Sequence, residues 1–140
     1  MRIEAYLSFD GRCEEALEFY RSALGAQVTS LMRWKEMPDP PPGAISPGIE
    51  NKVMHASFRV GDTTVLASDG YAHGKPTFQG VSLALQVASV GEAERLFAAL
   101  AAGGQVQMPL GKTFFSPAFG SLTDRFGVAW MVVVDAEPRA

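Results

Sequence analysis

From residue 3 the chain alternates. Ile3, Ala5, Leu7 and Phe9 are each separated by one residue, a period of two that predicts a strand, and Asp10-Gly11 ends it. The period then lengthens. Ala16, Leu17, Tyr20 and Ala23 or Leu24 recur at three- and four-residue spacing, which predicts a helix over about 12–24 with one apolar face. Asp10 is placed to cap it, Glu14 and Glu15 lie in its first turn, Arg21 lies in its last, and Gly25 follows as the C-cap. A strand is expected next over 27–34. Two more follow at 52–60 and 63–68, joined by the tight-turn pair Gly61-Asp62.

The pattern then restarts. A strand over 81–87 leads to Ser89 with Glu92 three residues on, a capping-box spacing. Ala93, Leu96, Phe97 and Leu100 give a second helix its apolar face, and Gly103-Gly104 ends it. A short strand over 105–108 and a hairpin of 121–123 with 128–134 complete the set. The two halves align by eye. Ala5 falls on Ser82, Phe19-Tyr20 on Leu96-Phe97, Gly25 to Val28 on Gly103 to Val106 with one insertion, and Arg59-Val60-Gly61 on Arg125-Phe126-Gly127. The shared order of elements implies a duplicated βαβββ unit. The stretch between the helices has room for three strands plus the next unit's first, which favours duplication over a βαββαβ sandwich. One domain over 1–140 is expected, with module one at about 1–69, a linker at about 70–80 and module two at about 81–135.

Two stretches break the pattern. Residues 36–50 (EMPDPPPGAISPGIE) hold five prolines and two glycines, which suit neither a ladder nor a helix, and read as a rim or flap. Residues 109–117 read as a second loop with two phenylalanines.

Composition narrows the functional classes. The 140 residues are 47% apolar and 19% charged, an ordinary globular balance. A net charge of −3 offers no basic stripe, so no nucleic-acid partner is expected. No apolar run reaches the ~20 residues that cross a bilayer, and the N-terminus runs straight into a strand pattern, so we expect no membrane partner and a cytoplasmic protein. A lone cysteine, Cys13, forms no internal disulfide. Its place near a helix start, where thiol pKa values fall, makes it a weak candidate nucleophile. No glycine-flanked serine elbow and no phosphate loop are present.

Several stretches resemble a known family. Tyr6-Leu7-Ser8-Phe9-Asp10-Gly11 leads to Ala16-Leu17-Glu18-Phe19-Tyr20 and Leu24-Gly25-Ala26. His55-Ala56 precedes Gly61-Asp62 and Ala67-Ser68-Asp69, and Thr123 to Met131 (TDRFGVAWM) closes the series. Together they resemble the PhnB-like branch of the vicinal oxygen chelate superfamily, which includes glyoxalase I, bleomycin-resistance proteins and extradiol dioxygenases. The resemblance implies an α+β fold: two βαβββ modules forming a curved, incompletely closed eight-stranded sheet around a cavity, with the helices outside. It also implies a homodimer. Branch members often carry a methyltransferase label. No glycine-rich nucleotide loop follows the first strand here, so the label receives no weight.

Superfamily enzymes hold a divalent metal on His, Gln or Glu from the first and last strand of each module. Counted from the resemblance, those positions are Ala5, Val65, Ser82 and Met131 here, a set that suits no hard or borderline dication. No cofactor is therefore expected, and a divalent metal is disfavoured. If Ala5 and Ser82 face the cavity, alternation brings Leu7 and Phe9 in with Ala5, and Ala84 and Gln86 in with Ser82. Leu83, Leu85 and Val87 then face the helix. Given a two-residue turn at Gly61-Asp62, Phe58 shares a face with Val65, and His55 takes the opposite one. His55 is either a half-buried, hydrogen-bonded residue or a contact to a ligand; His73 is expected in solvent. Phe114 and Phe115 are expected to cover a ligand or a dimer contact, and Arg33, Arg59 and Arg125 to be surface charges. The candidate ligand-binding set is thus Ala5, Leu7, Phe9, His55, Val65, Ser82, Gln86, Phe115 and Met131. The leading functional expectation is a metal-free small-molecule binding protein. The alternatives are an enzyme acting on a small metabolite (lyase, isomerase or dioxygenase-like) and a non-catalytic dimeric module with a filled cavity.

Overall fold

The computed structural model describes residues 1–70 and 76–135. The chain divides into two compact units, Met1–Thr77 and Phe78–Ala140. In the first, β1 (Tyr6–Ser8) leads through a turn to α1 (Cys13–Leu24), then β2 (Gln27–Arg33), β3 (Val53–Val60) and β4 (Thr63–Ser68). In the second, β5 (Leu83–Val87) leads to α2 (Val90–Ala101), β6 (Gln105–Gly111), β7 (Phe119–Thr123) and β8 (Ala129–Val134). Each unit is therefore βαβββ, and the protein is an α+β fold of two such modules.

The two sheets share one topology. The orders are β1-β4-β3-β2 and β5-β8-β7-β6, with the first strand parallel to the last and the remaining pairs antiparallel. Both also carry a register shift at the same place. In β2 it falls between Val28 and Ser30, opposite Phe58 and Ser57; in β6 it falls between Val106 and Met108, opposite Leu122 and Ser121. Thr29 and Gln107 are the extra residues. Pro109 lies inside β6, a strand at the edge of its sheet, where its missing N–H costs no central ladder bond.

One face of each sheet is packed by the helix. In the first unit Phe9 and Phe58 meet Tyr20 of α1, with ring centroids 6.1 and 5.7 Å away, and Leu7, Ala56, Val65 and Ala67 complete a buried layer. In the second, Trp130, Val132, Val134 and Leu122 are buried on the side where Ala93, Leu96, Phe97 and Leu100 of α2 pack. Gly120 sits where α2 crosses β7. A Cβ there would stand 2.8 Å from Phe97 Cε2 and 2.9 Å from the Leu110 backbone, so no side chain fits.

The start of α1 differs from expectation. Asp10 does not cap the helix; it takes a left-handed φ of 51° in the turn, and Arg12 occupies the cap position with no side-chain capping bond. The acceptor comes instead from Asp69, far along the chain. Its Oδ1 accepts from Gly11 N at 3.0 Å and Cys13 N at 2.7 Å, and its Oδ2 accepts from Val53 N at 2.7 Å. Asp69 N in turn donates to Val53 O. One buried carboxylate thus ties the helix start, the start of β3 and the end of β4 together. In the second unit Asp124, also buried, accepts from Phe126 N, Val128 N and Trp130 Nε1, fixing the β7–β8 turn. Ser89 caps α2 as expected, accepting from Glu92 N.

Asp69→Ala leaves buried amides without an acceptor. It should cost about 3 kcal/mol or more of stability. Asp69→Asn, which keeps one acceptor oxygen, should cost less. Urea unfolding followed by tryptophan fluorescence measures both.

Candidate functional site

The helices cover one face of each sheet, and the other face carries the candidate chemistry. On the first sheet, the pairs Tyr6↔Leu66 and Ser57↔Leu66 place these side chains in one row across β1, β4 and β3, all away from the helix. Met32 pairs with His55 in the neighbouring row, and Arg59 pairs with Thr64 in the next. Tyr6 is 52% exposed, and its ring leans on the half-buried His55 at 6.0 Å. The shift in β2 brings two hydroxyls to one partner: Thr29 Oγ1 and Ser30 Oγ each lie 2.7 Å from Ser57 Oγ.

On the second sheet, Ala84, Met131, Ser121 and Met108 form the matching row, and Gln86, Val133 and Phe119 form the next. Thr123 Oγ1 donates to Gln107 Oε1 at 3.2 Å. The loop that follows β6 is held from within. Thr113 Oγ1 accepts from Phe115 N and Ser116 N, while the buried Ser116 hydroxyl lies within hydrogen-bond distance of Ala118 O and Val134 O. This clamp presents Phe114 wholly to solvent and sets Phe115, 46% exposed, edge-on against Phe119.

These pairings correct half of the expected site. Leu7, Phe9 and Val65 do not face the open side; they are buried under α1, and Ala5 shares their parity. The cause is a slip of one residue. The strands β1 and β5 correspond through Tyr6 and Ala84, not through Ala5 and Ser82, because the turn into α1 differs in length from the turn into α2. The counterpart of Met131 is Leu66, not Val65, because the β3–β4 hairpin turns at Gly61-Asp62 whereas the β7–β8 connection spans Asp124 to Val128. In a strand, a one-residue slip exchanges the two faces. Phe58 does share a face with Val65, and His55 does lie opposite, but that opposite face is the open one. Gln86 and Met131 are on the open side as expected, Ser82 is exposed just ahead of β5, and Phe115 stands at the loop. Leu83, Leu85 and Val87 pair with Trp130, Val132 and Val134 on the helix side. Tyr6, Leu66 and the Thr29–Ser30–Ser57 hydroxyls are the residues that sequence reasoning missed. Their signal was the alternation itself, read with the other phase.

The corrected first- and last-strand positions are Tyr6, Leu66, Ala84 and Met131. They offer one phenol and no imidazole or carboxylate. Among the described residues, no group of three or more His, Cys, Asp or Glu stands close enough to share an ion. The donor set does not fit the metal centre that the resemblance implies. His73 lies outside the described residues.

Two other candidates resolve into structure. Cys13 is fully buried, and burial, followed by the nearby Asp69 and Glu14 charges, pushes its thiol up to about 12. This reverses the lowering expected from its place at the helix start. Arg33 grips Glu14 with two bonds of 2.7 and 3.1 Å and also donates to Asn51 O. The Arg33 bond holds the Glu14 carboxyl below its usual range. Arg125 donates twice to Ala102 O at the end of α2.

A duplicated βαβββ unit with a helix on one face of each sheet is the architecture of the glyoxalase/bleomycin-resistance superfamily. A domain of that superfamily from Frankia sp. EAN1pec shares the fold, with a TM-score of 0.67 over 99% of this chain and 94% of that one, at 16% identity. A family model described as 3-demethylubiquinone-9 3-methyltransferase matches residues 1–133. The chain is 35% identical to Protein YjdN of Escherichia coli K12, over 99% of each. It also resembles the crystal structure of PA1353 from Pseudomonas aeruginosa (43% identity, TM-score 0.83, 96% of this chain and 98% of that one). A PhnB protein from Bacillus cereus, described as a putative 3-demethylubiquinone-9 3-methyltransferase, gives 31% identity and a TM-score of 0.77 over 96% and 99%. The chain belongs to this PhnB-like, 3-demethylubiquinone-9 3-methyltransferase family.

Cys13 should resist a thiol reagent such as 5,5′-dithiobis(2-nitrobenzoate) at pH 8, where on the order of 10⁻⁴ of it is thiolate, and react fully in denaturant. The Glu14 contribution carries the sign of a depressed carboxyl. It is present above the ordinary carboxylate pKa and is lost as pH falls through the lowered folded value. Because the Glu14 side chain is 63% exposed, Arg33→Ala should cost less than about 1 kcal/mol at pH 7. The difference from wild type should shrink in acid to what the bond to Asn51 O contributes, as urea midpoints across pH would record.

Proposed function

We propose that this protein binds a small organic molecule on the open faces of its sheets, with no resident metal among the residues that would hold one in its superfamily. The observation that carries the reading is the sorting of side chains along the strands. Each sheet commits one face to a helix and leaves the other lined by small, hydroxylic, amide and apolar groups. Few directing polar groups on an otherwise apolar surface is the usual make-up of a ligand site. On the open face of the first unit the residues assigned to binding are Tyr6, His55, Ser57 and Leu66; on that of the second they are Ser82, Gln86, Phe115 and Met131.

Methyl transfer forms no part of this reading, although the family's description names it. A phosphate- or nucleotide-type cradle uses free amides at a glycine-rich turn before a helix. Here the turn reads Asp10-Gly11-Arg12, and the Gly11 and Cys13 amides already serve the Asp69 carboxylate. The proposal extends to a homodimer in the cytoplasm. It also keeps an enzymic alternative, favoured by one observation: His55 stands on the open face beside Tyr6, where an imidazole could exchange a proton with a bound ligand.

A thermal-shift screen of the full-length protein against a metabolite panel and divalent metals tests the reading. A ligand that binds only the native state raises the midpoint by mass action. Hits among organic compounds are expected. His55→Gln should leave binding in place if His55 acts only in chemistry. Midpoints that respond to metals alone, with stoichiometric metal in the purified protein, would overturn the reading.

A further inference from the structure

The two sheets differ in charge. The first carries Arg33, His55 and Arg59 on its strands. The strands of the second read LALQV, QVQMPLG, FGSLT and AWMVVV, with no Asp, Glu, Lys, Arg or His on either face. The nearest charges along the described chain are Lys112, Asp124 and Asp135, each just past a strand end, and Asp124 is buried with its carboxylate taken up by Phe126 N, Val128 N and Trp130 Nε1. An ion settling on this face would shed water and meet no opposite charge from these strands, a loss that burial makes steep. The face therefore discriminates by charge before it discriminates by shape.

Its apolar groups have a specific character. Phe114, Phe115 and Phe119 form a stepped edge-to-face column, with centroids 5.2 and 5.1 Å apart and interplanar angles of 83° and 71°. The column starts on the open face at Phe119 and ends in solvent. Beside it lie Met108, 49% exposed, and the half-buried Met131, whose thioethers favour the edges of aromatic rings. Two polar groups accompany the methionines. Gln86 pairs with Val133 in the neighbouring row, and Ser121 lies in the methionine row itself, paired with Met131 and Met108. They stand two strand spacings apart across the sheet and two residues apart along it, about 12 Å between α-carbons, so a bicyclic ring with one polar substituent reaches either group.

We propose that the open face of the second unit selects an uncharged aryl compound bearing a hydroxyl or carbonyl group, with the ring against Phe115, Phe119 and the methionines and the polar group on Gln86 or Ser121. This deepens the small-molecule reading and rests on it.

The test uses three probes of one size, with the full-length protein at neutral pH: 2-naphthol, the anion 2-naphthoate and the saturated decahydro-2-naphthol. Isothermal titration should show 2-naphthol binding at least about tenfold tighter than either of the others. Phe115→Ala and Gln86→Ala, both at exposed positions, should each weaken 2-naphthol roughly fivefold without moving the thermal midpoint of the unliganded protein. Equal or tighter binding of naphthoate overturns the charge selection while leaving small-molecule binding standing. Equal binding of the saturated alcohol overturns the aromatic part. Binding of 2-naphthol that neither variant disturbs overturns the placement. If Phe115→Ala converts a dimer to a monomer in sedimentation and leaves 2-naphthol affinity unchanged, a second copy covers this face and the proposal falls. Silence of all three probes overturns it whatever the metabolite screen shows; hits in that screen would leave the broader reading intact, and a silent screen would remove both.

Discussion

A carboxylate with no water around it must be surrounded by donors, and Asp69 takes its donors from two elements that are distant in sequence. Gly11 and Cys13 lie at the start of α1, and Val53 opens β3. All three amides donate to this one carboxylate, so a helix that started elsewhere would take donors away from the charge. The same knot sets where β1 ends, because Phe9 N donates to Ser68 O beside it. The start of α1, the buried Cys13 and the start of β3 all meet at that one side chain. Burial of Cys13 against this carboxylate also explains why a cysteine at a helix start behaves as a hydrophobe instead of a nucleophile.

The architecture was legible because it rests on periodicity. The spacing of Ala16, Leu17 and Tyr20, and of Ala93, Leu96 and Phe97, fixed the two helices, and the glycine pairs marked their ends. Capping was legible only where it is local. Ser89 and Glu92 are neighbours in sequence and were found, whereas Asp69 reaches its amides across most of a module and was not. Pro109 suggests the end of a strand, yet an edge position tolerates it, and β6 runs on to Gly111.

Which face is open was legible in one module and inverted in the other. Alternation shows that two faces exist; it does not say which one meets the helix. In the second unit the phase was anchored by Leu83, Leu85 and Val87, three bulky residues that could only be the packed side. In the first, Leu7 and Phe9 are equally bulky, but an alignment carried through the helices was extended into strands whose connections differ in length. The greasy residues were thereby assigned to the ligand side. The better guide was chemical: a strand reading Tyr6-Leu7-Ser8 puts its polar groups on one face and its leucine on the other. The charge contrast between the sheets shows how far the copies have drifted. The position of Arg59 on β3 is held by Thr123 on β7, and that of Tyr6 on β1 by Ala84 on β5.

The paired register shifts in β2 and β6 have a consequence for assembly. Both strands lie at the rim of their sheets, with backbone donors and acceptors that another chain could join. An extra residue at Thr29 and at Gln107 breaks the even ladder that such joining needs and twists the rim away from flat contact. The duplication has carried the same irregularity into both halves, and it makes each of those rims a poor template for a further strand.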